Sequence, residues 1–280
     1  MLLRMSKLFV TALLFFVVSG KGQNAIPYGN NPAAGKYFSS NGIKIYYEIY
    51  GEGQPLLLLH GNGGSIAGRA SVIDTYSKKY KVIAVDSRCH GKSSCMAGDL
   101  DYNMMASDMN LLLNELHIDS AFIWGHSDGG IIGLIMAFKY PAKVKRLLTT
   151  GANIVPDTTA LQPELVQMMK MYPQLKDTLM QKQIKLMVFN PHITWNELSQ
   201  IKAPVLVMAG DRDAIRTEHT VNIFKAIPNA QLCIVPGATH FVYEEQPDLF
   251  NYYFRNFFEK PFQMPSTVEI MRKVAAQMMK

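Results

Sequence analysis

Apolar and polar positions along the chain fall into two alternating rhythms. Ile43-Lys-Ile-Tyr-Tyr-Glu-Ile-Tyr50 mixes apolar and polar positions as an antiparallel edge strand does, and Pro55-Leu-Leu-Leu-Leu-His60 is the continuous apolar run of a strand buried on both faces. From there strand and helix patterns take turns. A helical stretch around 66–79 leads to a strand over 81–85, a helix near 103–117 to a strand over 121–124, and a helix over 127–140 to a strand over 144–150. A strand over 204–209, a helix near 217–227, a strand over 230–235 and a helix near 244–259 complete the series. Such alternation predicts an α/β fold: a mostly parallel central sheet with helices on both faces.

One segment breaks the rhythm. From 152 to 200 no strand pattern occurs, and Met168, Met169, Met171, Met180 and Met187 sit among helical apolar spacings. A helical insertion of that length between two strands of one sheet is expected to cover something, and its position after a strand end makes it a small lid; core packing is the expected role of most of these methionines. The expected layout is therefore a core over 23–151 and 201–260, a lid over 152–200, and a tail over 261–280 that forms a surface helix.

Residues 1–22 read as a leader. Arg4 and Lys7 precede an apolar run from Leu8 to Val18, followed by the small residues Ser19, Gly20 and Gly22. The run is too short to span a bilayer and has the charged flank of a secretory signal, so a secreted or periplasmic protein is expected, with cleavage near 20–22. The alternative is an uncleaved N-terminal anchor, since no Ala-x-Ala site is present. The charge supports this division. The whole chain has 28 basic and 22 acidic residues, a net charge of +6. Half of that excess lies in 1–22 (Arg4, Lys7, Lys21, no acid) and half in 260–280 (Lys260, Arg272, Lys273, Lys280 against Glu269), leaving 23–259 balanced. A neutral body gives no footprint for nucleic acid. Of the three cysteines, Cys233 lies in a strand pattern, while Cys89 and Cys95 either close a small loop in an oxidising compartment or stay free. No C-x-x-C or H-E-x-x-H pattern occurs, so neither a metal nor any other cofactor is expected.

The chemistry centres on Gly125-His-Ser127-Asp-Gly129, which follows a predicted strand and opens a predicted helix. This is the G-x-S-x-G elbow, whose tight turn requires small neighbours and lifts the serine hydroxyl above the sheet. A serine hydroxyl needs a base that is itself oriented by an acid. The order Ser, acid, His is supplied by Gly210-Asp-Arg-Asp213 and Pro236-Gly-Ala-Thr-His240, each after a late strand. His240 is the expected base. Asp213 is the preferred acid, with Asp211 two residues away as the alternative. The expected oxyanion donors are the N–H of Asp128, the residue after the serine, and that of Asn62 in His60-Gly-Asn-Gly-Gly64. His60 and His126 are expected to pack or hydrogen-bond near the site, and His90, His117, His192 and His219 have no partner motif. The glycine loop is not a dinucleotide loop, because Ile66 stands where a third glycine is needed; Gly91-Lys-Ser93 is not a phosphate loop, because Asp86 stands in place of its first glycine.

In these motifs, together with Asp86-Ser-Arg-Cys-His-Gly-Lys-Ser93, the chain resembles the α/β-hydrolase superfamily over about 36–259. In that family the acid usually takes the last place of the Gly-x-x-Asp turn, which favours Asp213. Cys89 departs from the pattern, standing where the family commonly has glycine. Locally, Ser127-Asp-Gly-Gly130, Lys139-Tyr-Pro141 and Gly151-Ala-Asn153 look like the biphenyl hydrolase-like branch that includes valacyclovir hydrolase. That resemblance implies a second role for Asp128, whose carboxylate would hold a substrate ammonium. Serine at 127 sets the chain apart from dehalogenases and epoxide hydrolases of the superfamily, which use an aspartate nucleophile.

The expected activity is cleavage of a small carboxylic ester through an acyl-enzyme, without stable membrane insertion once the leader is removed. The alternatives on the same scaffold are carbon–carbon bond hydrolysis, lactonase or iminopeptidase activity, and a binding protein that retains the triad.

Overall fold

The computed structural model describes residues 26–279. The leader expected over 1–22 lies outside the described residues. Eight strands form one sheet: β1 (Gly35–Ser40), β2 (Ile43–Tyr50), β3 (Gln54–Leu59), β4 (Tyr80–Val85), β5 (Ala121–His126), β6 (Val144–Thr150), β7 (Val205–Gly210) and β8 (Ala230–Val235). Their spatial order is β1-β2-β4-β3-β5-β6-β7-β8. All neighbours from β4 through β8 are parallel, while β1–β2 and β2–β4 are antiparallel.

Among the described residues ten α-helices accompany the sheet. In chain order they are α1 (Ala70–Tyr76), α2 (Tyr102–Glu115), α3 (Asp128–Lys139), α4 (Pro163–Met169), α5 (Thr178–Phe189), α6 (Trp195–Ser199), α7 (Thr217–Ala226), α8 (Val242–Glu245), α9 (Pro247–Glu259) and α10 (Thr267–Met278). Alternate residues of each strand feed two separate cores. Ile45, Leu57, Ile83, Ile123, Leu147 and Val205 face α2, α3 and α7, whereas Leu56, Val82, Phe122, Trp124, Leu148 and Leu206 face α1 and α9. The second core is aromatic: Phe250, Phe254 and Phe258, spaced four apart on α9, bring one stripe of the helix down on Trp124, Tyr76 and Phe122.

Three elements differ from the sequence expectation. The 43–50 strand is not the edge, because β1 pairs along it from Gly35↔Glu48 to Ser40↔Ile43. Gly35-Lys-Tyr-Phe-Ser-Ser40 has too few apolar positions to stand out locally, and its pairing with β2 makes it a strand. The stretch around 66–79 divides into a 3-10 turn, Ile66–Arg69, and α1, with Tyr80 joining β4. The late helix also divides at Gln246, after which Pro247 starts α9 at the first helical position, where its missing N–H costs nothing.

The insertion between β6 and β7 carries α4, α5 and α6, and its Ala160, Leu161, Val166 and Met169 form a small core with Ile215 from the loop after β7. Of its methionines, Met169 is buried and Met187 packs against that core, but Met168 and Met171 face solvent. Helix α5 is tied to the segment after β4. Gln183 Nε2 donates to Cys89 O (2.7 Å), Lys182 Nζ donates to Met96 O, and Lys185 pairs with Asp99 at 2.8 Å. That segment is itself cross-linked, since Cys89 and Cys95 form a disulfide and Cys233 is free and buried. Cys89 takes φ +60°, a left-handed conformation that glycine adopts without strain. The need for that turn explains the glycine common at this position in the superfamily.

Candidate active site

Ser127 stands between β5 and α3 with φ 54° and ψ −119°, outside both elements. The turn closes because three glycines remove side chains that have no room. A Cβ on Gly125 would lie 2.1 Å from Gly129 O, one on Gly129 would lie 2.4 Å from Leu59 O, and one on Gly130 would lie 2.3 Å from Thr149 Oγ1. Ser127 N–H donates to Thr150 O (2.8 Å), which pins the elbow to the end of β6.

His240 lies on the loop after β8, and its Nδ1 is 2.7 Å from Asp213 Oδ1 on the loop after β7. Asp213 is buried, and the same oxygen accepts the Ile215 N–H at 2.9 Å. Asp211 is engaged elsewhere, its Oδ1 accepting the Gly237 N–H at 2.8 Å. Of the two acids that the sequence offered, Asp213 is the one bonded to the imidazole. Gly151 makes room for the ring: it has φ +63°, and a Cβ there would stand 2.6 Å from His240 Cε1. The residue before it is Thr150, the acceptor of the Ser127 N–H, so elbow and imidazole converge on one point at the carboxyl ends of β5 and β6.

The loop over 60–64 lies against Ser127. A Cβ on Gly61 would approach Ser127 Cβ to 3.0 Å, and Gly64 N–H closes the turn onto Gly61 O (3.0 Å), carrying Asn62 between them. The Asp128 N–H is in the first turn of α3, where amides have no intrahelical acceptor. Below the loop, Asp86 accepts the N–H groups of Ile66 and Lys92 (both 2.8 Å), tying it to the turn after β4; burial lifts the Asp86 carboxyl to about 6.

Asp128 is buried and both of its oxygens are used. Tyr102 Oη donates to Oδ1 (2.7 Å) and Asn62 Nδ2 donates to Oδ2 (2.9 Å), and Asn62 Nδ2 also reaches Gln183 O on α5 (3.0 Å). Burial raises the Asp128 carboxyl above the usual carboxylate range, opposed by these two hydrogen bonds. Tyr102, Gln183 and Gly151 were not foreseen. Tyr102 opens α2 behind its cap Asp101, and nothing in the local sequence marks its hydroxyl as directed at Asp128.

The other histidines near the site are held neutral. His60 donates from Nδ1 to Gly61 O (2.7 Å) and accepts the Ser87 N–H at Nε2 (3.0 Å), and burial lowers it to about 3. His126, its ring 4.8 Å from that of His240, is also lowered by burial and by the charge on His240. His240 goes the other way. Burial disfavours its cation, but the Asp213 charge and hydrogen bond, helped by Asp128, outweigh this and raise it above 6.5. A base works only when neutral, so activity is expected to rise with pH through a midpoint above 6.5. Asp213→Asn should move that limb to lower pH as well as reduce kcat, which a kcat/KM profile of the two proteins measures.

An open groove of about 550 Å³ runs beside His240, between the insertion and the loops after β7 and β8. Leu165, Met168 and Phe241 give it apolar walls, and Glu164 and Arg212 add charge. The solvent-facing Met168 thus lines a groove that reaches His240. Among the described residues no group of His, Cys, Asp or Glu is arranged to hold a metal ion.

A profile of the alpha/beta hydrolase fold matches residues 54–188, from β3 through the elbow into the insertion. The sheet order, the elbow and the acid and base after late strands agree with it along the rest of the chain. The chain has the α/β-hydrolase fold. Among α/β hydrolases it is 25% identical to a carbamate-hydrolase candidate, RutD of Azorhizobium caulinodans, over 77% of this chain and 95% of the relative. It is also 25% identical to the sn-1-specific diacylglycerol lipase ABHD11 of Danio rerio, over 73% of this chain and 79% of the lipase. The solved structure of 2-hydroxy-6-oxo-6-phenylhexa-2,4-dienoate hydrolase from Rhodococcus superposes with a TM-score of 0.71 at 18% identity, covering 81% of this chain and 98% of that one. That likeness concerns the fold.

Proposed function

We propose that this α/β hydrolase is an exported serine esterase acting on a small carboxylic ester. The observation that carries the reading is the His240–Asp213 hydrogen bond beside a strained Ser127 elbow. Ser127 Oγ adds to the ester carbonyl while His240 Nε2 takes its proton, and Asp213 keeps Nδ1 protonated and the imidazolium stabilised. The developing oxyanion is met by the N–H groups of Asn62 and Asp128. Collapse expels the alcohol, which takes the proton back from His240. Water then enters, gives a proton to His240 and adds to the acyl carbonyl; collapse breaks the bond to Oγ, His240 returns the proton to Oγ, and the carboxylic acid leaves. Atoms and charge balance without a metal or organic cofactor.

The relatives are named for different chemistries, a carbamate and a diacylglycerol. An ester is favoured here because its alcohol leaves with the least assistance. Besides offering its N–H, Asp128 braces Asn62 through its carboxylate; an ammonium on that carboxylate would have to displace Tyr102 or Asn62. Support for export comes from the apolar run after Arg4 and Lys7 and from the Cys89–Cys95 bond, which suits an oxidising compartment. A fluorophosphonate probe is expected to label folded protein once, on Ser127, as read by peptide mass spectrometry. An unlabelled Ser127 in folded, unmodified protein refutes the proposal.

A further inference from the structure

Helix α10 is the one α-helix among the described residues with no buried position. Every described residue from 267 to 279 is exposed, including Val268, Ile270, Met271, Val274, Met278 and Met279, at 49–83%. At helical spacing these side chains, with Ala275, occupy one half of the circumference, and Glu269, Arg272, Lys273 and Gln277 occupy the other. An isolated twelve-residue helix is marginal in water, so a half-apolar one held clear of the core needs a covering surface.

Charge identifies that surface. Residues 23–259 balance, whereas 260–280 holds four basic residues and one acid; Arg272, Lys273 and Glu269 of these lie on α10, with Lys260 and Lys280 flanking it in the sequence. A helix with an apolar face, low overall hydrophobicity and cations on its polar side lies in a lipid interface. Its length, about 18 Å, falls short of the roughly 30 Å hydrocarbon layer, so it rests on a bilayer and does not cross it. No described helix is long and apolar enough to cross a membrane. We propose that α10 is a peripheral anchor whose apolar half, Val268, Met271, Val274 and Met278, settles on an anionic lipid surface with Arg272 and Lys273 at the headgroups. The anchor holds the hydrolase at a membrane face.

The test uses the full chain. Met271→Cys and Gln277→Cys are prepared separately and labelled with an environment-sensitive fluorophore; Cys233 is buried and the other two cysteines are bonded, so the label goes to the new site. Phosphatidylcholine vesicles containing phosphatidylglycerol are expected to shift the 271 signal to the blue and leave 277 unchanged. Combining Met271→Cys with R272Q and K273Q should weaken this binding roughly 25-fold, about fivefold per cation. No shift at 271, an equal shift at both sites, or equal affinity for vesicles of phosphatidylcholine alone overturns the proposal. So does a shift at 271 that appears without vesicles as protein concentration rises, which would make a second copy the covering surface.

Discussion

Ser127→Ala is expected to lower kcat for a small activated ester by about 10⁴- to 10⁶-fold while leaving the thermal unfolding midpoint within a few degrees of the parent. The size follows from what the substitution removes. Without Oγ no acyl-enzyme forms, and the neutral His240 can only assist water. What survives is the modest acceleration from the oxyanion donors and substrate positioning, which do not depend on the serine side chain. The fold should tolerate the change because the Ser127 hydroxyl makes no hydrogen bond among the described residues, whereas its N–H, retained in alanine, donates to Thr150 O. His240→Ala should cost nearly as much, and the double variant little more than either alone, since base and nucleophile act as one unit. Turnover by Ser127→Ala above about one per cent of the parent would show that the elbow is not the catalytic centre.

The largest stability effect is expected at Arg88 and Asp108. Their side chains are fully buried and form a two-pronged ion pair: Arg88 Nε donates to Oδ2 (2.7 Å) and Nη2 to Oδ1 (2.6 Å). Ser40 Oγ donates to the same Asp108 Oδ1 at 2.5 Å. Asp108→Ala leaves a guanidinium in the core with only the sulfurs of Met96 and Met104 within reach of Nη1. An unpaired buried charge of this kind costs about 3–5 kcal/mol, which for a chain of this size is roughly 5–10 °C in Tm. Replacing both partners with apolar residues of similar volume, Arg88→Met with Asp108→Leu, should restore most of the loss, because no charge is then buried. Calorimetric melts of the parent, the single and the double variant decide the matter; a double variant as unstable as the single one would place the cost in packing.

Much of this pair was hidden from the sequence. Arg88 and Asp108 are twenty residues apart on different elements, and no local pattern distinguishes them from surface charges. The nucleophile was legible because its elbow is built from consecutive residues, and tight turns impose small side chains that can be read off the chain. His240 and Asp213 were legible for a related reason: each follows a strong strand pattern. The choice between Asp213 and Asp211 was not local, since both sit on the same turn and only the packing of the loops after β7 and β8 sets which carboxylate meets the imidazole.

Local patterns along the chain were enough for the strand–helix alternation, the elbow at Ser127, the order of Ser127, Asp213 and His240, and the excess charge at the two ends. These are properties of residues adjacent along the chain, where backbone sterics and hydrophobic spacing act directly. Only the tertiary structure decided that β1 covers the edge of the sheet, that Cys89 bonds to Cys95, and that Asn62 is held by Asp128 and Gln183. It alone showed that Met168 faces the groove and that α10 stands clear of the core. Each of these depends on which distant groups come together. Burial makes an unmatched polar or apolar group costly, so the fold settles such pairings as a whole, and no single stretch of residues specifies them.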